Sequence, residues 1–222
     1  ACGGTTSIVD HIGQGPRGTT LHDPINHYHK LADGKAVIDY GFHGVIPYEV
    51  DDDRLKEMDQ LLEDGIESFK IYMTYGQMVH DEDSIKVLKK AKEKGMTVSC
   101  DLNYRSKLWS SEKACEAMSR ICQYVDVCIA NEDDAIGIFS MNPADANGEE
   151  KNAYIAKELM KKFPFKMVAS VWRTETSITT FKLQSMIYTE GKAYYSKEYF
   201  MNILDYIGAG DAYCAGIIYS II

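Results

Sequence analysis

The string DYIGAGDAYCAG, residues 205–216, joins two carboxylates to a run of small residues at the start of an apolar segment. Small residues at Gly208, Ala209 and Gly210 let successive backbone N–H groups turn toward one point where a helix begins. That arrangement gathers partial positive charge and suits an anion such as a migrating phosphoryl group. Asp211 follows at the helix start, where a carboxylate can take a proton from a substrate hydroxyl. Ala212, Ala215 and Gly216 keep the first turns slim, so a ligand or a strand can approach closely. Gly210 is expected to need either a positive φ or a close backbone approach. An isolated G-x-G-D would equally be a tight turn followed by an Asp N-cap.

Other polar positions form a sparse set. In SCDLNYR, Asp101, Asn103 and Arg105 alternate, which puts them on one face of an extended segment. Arg105 can grip a carboxylate or a phosphate with two parallel N–H groups. Asn131 and Asp134 in ANEDDA, and Arg173 in VWRTE, fit solvated loop positions when each is taken alone. Lys70 in SFKIYM reads as a strand lysine with its ammonium led out to water, and Tyr75 follows five residues later. None of the six cysteines forms a C-x-x-C pair, so zinc-site spacing is absent. They read as reduced, packed thiols in a cytoplasmic setting. All six histidines fall within the first 80 residues, a shift of composition that two unrelated sources would leave. There is no G-x-x-x-x-G-K-[ST] phosphate loop.

The elements that must position these residues alternate short apolar strands with amphipathic helices, giving an α/β class with a mostly parallel sheet and flanking helices. SIVD (7–10), AVIDYGF (36–42) and SFKIYM (68–73) read as buried parallel strands. Asp51 to Asp53 cap a helix that turns Leu55, Met58, Leu61 and Leu62 to one side, and Gly65 stops it. A helix near 82–94 with Ile85, Leu88 and Ala91 inward ends at Gly95. TVSCDLN (97–103) and DVCIAN (126–131) read as strands around a helix that starts near Ser110 or Ser111. Residues 151–163 form a helix with Ile155, Leu159, Met160 and Phe163 inward, and FKMVASV (165–171) a strand. SITTFKL and SMIYTEGKAYYS alternate around a turn at Glu190-Gly191, as antiparallel or edge strands do. A last helix starts at Asp211.

A net charge of −9 lacks the basic footprint of a nucleic-acid binder. No apolar run approaches the roughly 18 residues of a membrane helix. An opening on ACGGTTSIVD, without Met, reads as the interior of a longer protein.

The string D-x-x-G-A-G-D-x-x-x-x-G resembles the second signature of the ribokinase-like (PfkB-type) carbohydrate kinases. AKEKGMTVSCDLNYRSKLW (91–109) resembles the matching stretch of their 2-keto-3-deoxygluconate kinases. The resemblance implies a ribokinase-like core in the C-terminal part. It implies Asp211 as catalytic base and Gly208, Ala209 and Gly210 as anion hole. It also implies substrate contacts at Asn103, Arg105 and Arg173, and a nucleotide and magnesium region at Asn131, Asp134 and Asp205. Asp134 stands where the family's N-x-x-E has Glu. ATP, Mg2+ and a keto-deoxy sugar acid are the implied cofactors and partners, and homo-oligomerisation stays open.

GGTTSIVDHIGQGPRG, KAVIDYGFHGVI and EDGIESFKIYMTY resemble a second family, the dihydropyrimidinases and hydantoinases of the amidohydrolase superfamily. This implies partial (β/α) barrel-type units in the N-terminal part. By the same resemblance Lys70 is the lysine that is carboxylated between two metal ions, and Tyr75 a substrate contact. The family's H-x-H ligands belong upstream of the matching stretches. His27-Tyr-His29 is no substitute, since positions two apart on a helix point away from each other, and Cys100-Asp101 stands where the family's next histidine belongs. The expected organisation is therefore an amidohydrolase-like fragment, 1–90, joined to a sugar-kinase fragment, 91–222. A cyclic-amide hydrolase, and a non-catalytic α/β fragment or oligomerisation module, remain the alternatives.

Overall fold

The computed structural model describes residues 4–13, 15–73, 79–143, 148–202 and 207–221. They form two compact units, Ala1–Lys90 and Ala91–Ile222. The class is α/β, with parallel strands and flanking helices as the patterning predicts.

In the first unit, β1 (Ser7–His11), β2 (Asp39–Ile46) and β3 (Phe69–Ile71) form a parallel sheet in the order β1-β2-β3. Helices α1 (His22–Ala32) and α2 (Asp52–Glu63) make the crossovers, and α3 (Asp81–Glu93) follows β3. Sequential order, each strand beside its predecessor, is the arrangement a (β/α) barrel uses. The core gathers Ile12, Ile25, Phe42, Ile46, Met58 and Leu61. Asp51 caps α2 by accepting from the Arg54 N–H. Both α2 and α3 stop on glycines with positive φ, Gly65 and Gly95. In each the two N–H groups after the helix reach back to its last turn: Gly65 to Leu62 and Ile66 to Leu61, Gly95 to Lys92 and Met96 to Ala91.

Three expectations need correction here. SIVD is parallel but not buried: all of β1 is exposed, because it is an edge strand bonded only to β2. β2 starts at Asp39 rather than Ala36 and runs on to Ile46, leaving Val37 exposed. On α3, Ser84, Ile85, Val87 and Ala91 are buried while Leu88 is half-buried, so the inward face is rotated toward Val87.

In the second unit, β4 (Ser99–Asp101), β5 (Val127–Ile129) and β6 (Met167–Glu175) are parallel. β7 (Thr180–Thr189) pairs antiparallel with β6, and β8 (Lys192–Tyr195) and β9 (Tyr199–Asn202) pair antiparallel with β7. The Glu190-Gly191 turn between β7 and β8 carries positive φ at both residues, the conformation a two-residue hairpin favours. Helices α4 (Ser111–Ile121), α5 (Glu132–Phe139), α6 (Gly148–Lys162) and α7 (Ala209–Ile221) complete the unit. Asp126 fixes the incoming ends of the parallel strands. Its carboxylate accepts from the Val98 N–H and from Lys92, pairs with Lys166, and its own N–H donates to the Val98 carbonyl. Burial would raise this acid, but the bonds from Lys92, Val98 and Lys166 outweigh it and hold the pKa below 3.8.

Candidate functional site

In an open parallel sheet, ligands gather outside the carboxyl ends of the strands. At that edge of the second unit, Asp101, Ile129 and Ala169 stand in one row. Helix α7 covers one face of it, packing Tyr213, Cys214 and Ile217 against Val127, Ile129, Met167, Ala169 and Ile187. Its start, with Gly208, Ala209, Gly210 and Asp211, belongs to this edge: the charge of Asp211 reaches Asp101, and both act on Cys214.

The loop differs from expectation in two ways. The helix begins at Ala209, so Asp211 is in its first turn and is not the N-cap; the first helical bond runs from the Ala212 N–H to the Gly208 carbonyl. The amides of Ala209, Gly210 and Asp211 precede that bond and have no carbonyl to meet within the helix. The positive φ, +77°, belongs to Gly208, whereas Gly210 is helical and a Cβ placed on it would meet nothing within 4 Å. The conformational demand therefore falls on Gly208. Asp205 lies outside the described residues.

Asp101, Asn103 and Arg105 do not share a face of a strand. β4 ends at Asp101, and Asn103 takes a left-handed conformation, φ +39°, that breaks the alternation. Asn tolerates that region better than most residues. Arg105 is exposed, its Nη1 donating to the Tyr104 carbonyl at 3.3 Å. Its charge nevertheless reaches both Asp101 and Asp134. Burial of the carboxyl and the charge of Asp134 raise Asp101 to about 6, against the Asn103 N–H and Arg105, with Asp211 adding to the rise. The residue's outer edge is open to solvent, which screens these effects.

Asn131 and Asp134 form a reciprocal cap on α5. The Asn131 side chain accepts from the Asp134 N–H at 2.9 Å, and Asp134 accepts from the Asn131 N–H at 3.2 Å. The other Asp134 oxygen accepts from the Tyr104 N–H at 2.7 Å. Asp134 is 2% exposed, and burial raises its pKa above 3.8 despite these bonds. It clamps the loop after β4 to the start of α5. Among the described residues no three His, Cys, Asp or Glu side chains are arranged to hold a metal ion.

Arg173 lies four residues beyond Ala169 on β6, roughly 13 Å past the row at a strand's rise. Its guanidinium stacks 5.7 Å from the Phe181 ring. β6 and β7 thus outrun β4 and β5 as a ribbon, and Arg173 rides on it rather than on the edge itself. Sequence reasoning passed over Tyr213 and Cys214.

The first unit gathers a different set on its strands. The His11 and His43 rings stand opposite across the β1–β2 ladder, centroids 5.1 Å apart, and His43 Nδ1 lies 2.5 Å from the Ser68 hydroxyl. Burial, His11 and Lys70 lower the His43 pKa below 6.5, with Asp10 opposing. Lys70 is half-buried on β3, its ammonium 4.8 Å from the Tyr72 ring centre. Tyr75 lies outside the described residues.

Likenesses to known proteins fall on both sides of this division. D-phenylhydantoinase of Escherichia coli O1:K1 is 43% identical over 95 residues, which is 43% of this chain and 20% of that protein. The structure of 2-dehydro-3-deoxygluconokinase from Thermotoga maritima superposes with a TM-score of 0.67 at 27% identity, covering 96% of this chain and 70% of that one. A PfkB family carbohydrate kinase from Listeria grayi gives 0.56 at 31% identity over 64% of this chain and 42% of that one. The chain therefore spans a fifth of the hydantoinase and less than half of the Listeria kinase. The model of the pfkB family carbohydrate kinases matches residues 44–222, reaching back into the segment that the sequence assigns to the hydantoinase-like part. With that match over most of its length, and with a glycine turn, helix start and strand-end carboxylates at one sheet edge, the chain belongs to the pfkB carbohydrate kinase family.

Proposed function

We propose that the second unit is built for phosphoryl transfer from ATP to a hydroxyl of a 2-keto-3-deoxy sugar acid. The observation that carries this reading is the placement of the Gly208–Asp211 turn at the start of α7 beside Asp101 at the end of β4. Asp211 takes the proton of the attacking hydroxyl as its oxygen bonds to phosphorus. The amides of Ala209 and Gly210, with Gly208 setting the turn, face the charge that spreads over the phosphoryl oxygens. Magnesium, bound with the nucleotide, supplies further neutralisation of that charge. Asp101 and Asp134 are the carboxylates suited to its waters, and Asn131 and Asp205 complete the nucleotide region. Asn103, Arg105 and Arg173 are the donors for the sugar acid, Arg105 for its carboxylate. The 2-dehydro-3-deoxygluconokinase likeness supports this choice of acceptor.

The organisation follows the same division. We infer a hydantoinase-like part, 1–90, joined to the kinase part, 91–222, and assign no hydrolysis to the former. Incubating the full chain with MgATP and 2-keto-3-deoxygluconate, and following ADP and the phosphorylated acid by mass spectrometry, tests the reading. Stoichiometric ADP and sugar phosphate are expected. ATP turnover without a phosphorylated acid rejects the acceptor; no turnover and no binding of MgADP rejects the kinase site in this chain.

A further inference from the structure

We propose that Tyr213 is a positioning residue, whose hydroxyl sets where the Gly208–Asp211 turn sits against the sheet. Helix α7 rests on the sheet through few side chains: Ile217 is buried, Tyr213 and Cys214 are half-buried, and Asp211, Ala212, Ala215 and Gly216 are exposed. Nor does close packing fix the turn, since a Cβ added to Gly208, Gly210 or Gly216 would meet nothing within 4 Å. Two residues after Asp211, the Tyr213 hydroxyl reaches into the sheet. It donates to the Ser170 carbonyl on β6 at 2.9 Å, approaches the Met186 carbonyl on β7 at 3.4 Å, and meets the Ser185 side chain. A phenol carries one proton and two lone pairs, so a carbonyl acceptor and a serine donor can be satisfied together.

Ser170 follows Ala169, the residue that closes the row with Ile129 and Asp101. The anchor is thus at the strand level where the parallel sheet ends and the β6–β7 ribbon continues. An aromatic ring alone would fill the same space but choose no register, because dispersion is indifferent to small slides. The hydroxyl supplies direction. It joins the first turn of α7 to the root of the ribbon that carries Arg173. The role rests on the phosphoryl-transfer reading for its consequence, but not for its geometry.

Tyr213→Phe in the full chain keeps the ring and removes the anchor. Hydrogen exchange should rise roughly fivefold at residues 212–216, the first bonded N–H groups of α7, the effect of one net hydrogen bond, while residues 127–129 and 167–169 keep their rates. Tyr219→Phe, an exposed site on the same helix, is the control and should change neither. If the wild-type chain phosphorylates the sugar acid, Tyr213→Phe should lower kcat with little change in KM for the acid, since a displaced base acts after binding. Unchanged exchange at 212–216, or an equal rise across β5 and β6 or in Tyr219→Phe, overturns the proposal. An inactive wild type with the local rise in exchange rejects the kinase reading and keeps the anchor; an active one whose kcat does not fall in Tyr213→Phe rejects the anchor's catalytic consequence.

Discussion

Both units carry residues able to do chemistry on their parallel strands, but with different company. At the edge of the second, Asp101, Asp134 and Asp211 share one electrostatic neighbourhood with Arg105 and a helix start. On the first, two imidazoles and a lysine gather, with Asp10 the acid that acts on them. Both are α/β with parallel strands, so class alone does not distinguish them. A second set of observations does: in the second unit a helix start, with Asp211 in its first turn, stands beside Asp101 at the end of β4.

The sharpest way to break this comparison is to remove one group from each edge. Asp211→Asn keeps the shape of the side chain and should lower turnover by about 10² to 10⁴ while folding is unchanged. His43→Gln in the first unit should leave turnover alone. Rates in the full chain, and in a complete homologous kinase carrying residues 97–222, measure both. Equal turnover by the Asp211→Asn graft and its parent would falsify the assignment of the base.

Next in size is Asp126, in the second unit. Asp126→Ala leaves the Val98 N–H unmet and two lysines without their acid. Losing one partner of a buried pair costs about 3 to 5 kcal/mol; here both lysines reach water, so the lower end is expected. Urea unfolding should show the loss in the second unit, with 99–101 and 127–129 exchanging faster than 42–46.

Acid should move the two units in opposite directions. His43 has its folded pKa below the ordinary 6.5, so the folded state resists the proton and the first unit loses stability as pH falls below about 6.5. Asp101, raised to about 6, and Asp134, also raised, are disfavoured while charged. The cost of Asp101 is present above about pH 6 and is relieved as pH falls from there toward 3.8, and Asp134 acts in the same direction. Asp126 has the reverse sign, with stability kept above 3.8 and lost only below it. Between pH 7 and 5, exchange corrected for its intrinsic pH dependence should therefore quicken at 8–11 and slow at 99–101. Parallel changes in both would show that these groups do not set the balance.

A smaller effect separates the two glycines of the turn. Gly208→Ala places a Cβ at φ +77° and should cost about 1 to 2 kcal/mol. Gly210→Ala sits in open space within a helix and should gain up to about 1 kcal/mol. Thermal melts of both variants decide whether the strain is at 208.

Most strands and helices were legible because burial periodicity and glycine stops are local: Asp51, Gly65, Gly95 and Ser110 mark their helix ends as expected. The exposed strand β1 was not, since an apolar run does not say which face another element covers. Helix α5 was hidden by the chemistry read into Asn131 and Asp134, whose spacing is also that of a reciprocal cap. The shared face of Asp101, Asn103 and Arg105 failed because one left-handed residue, Asn103, ends the alternation. Tyr213 was invisible as a contact because its partners, Ser170 and Met186, are 43 and 27 residues distant.

Lys70 gives the smallest effect and the cleanest reading of what the first unit retains. If it were a carboxylated metal bridge, replacing it would strip bound metal and unsettle the strand ends together. Its ammonium instead lies 4.8 Å from the Tyr72 ring centre, a contact between a cation and an aromatic face. Such contacts contribute about 0.5 to 1 kcal/mol where water still reaches them. His43, the nearest candidate ligand on the same face, has one ring nitrogen against Ser68, and Lys70 itself disfavours a further positive charge there. Lys70→Met should therefore cost no more than about 1 kcal/mol in urea unfolding, because methionine keeps the apolar stem. Metal analysis of the chain after exposure to zinc and dialysis should find no stoichiometric metal in either form. Two zinc ions per chain, lost in Lys70→Met, would mean that the first unit keeps a working hydrolase centre and that the contrast between the two edges has been drawn in the wrong place.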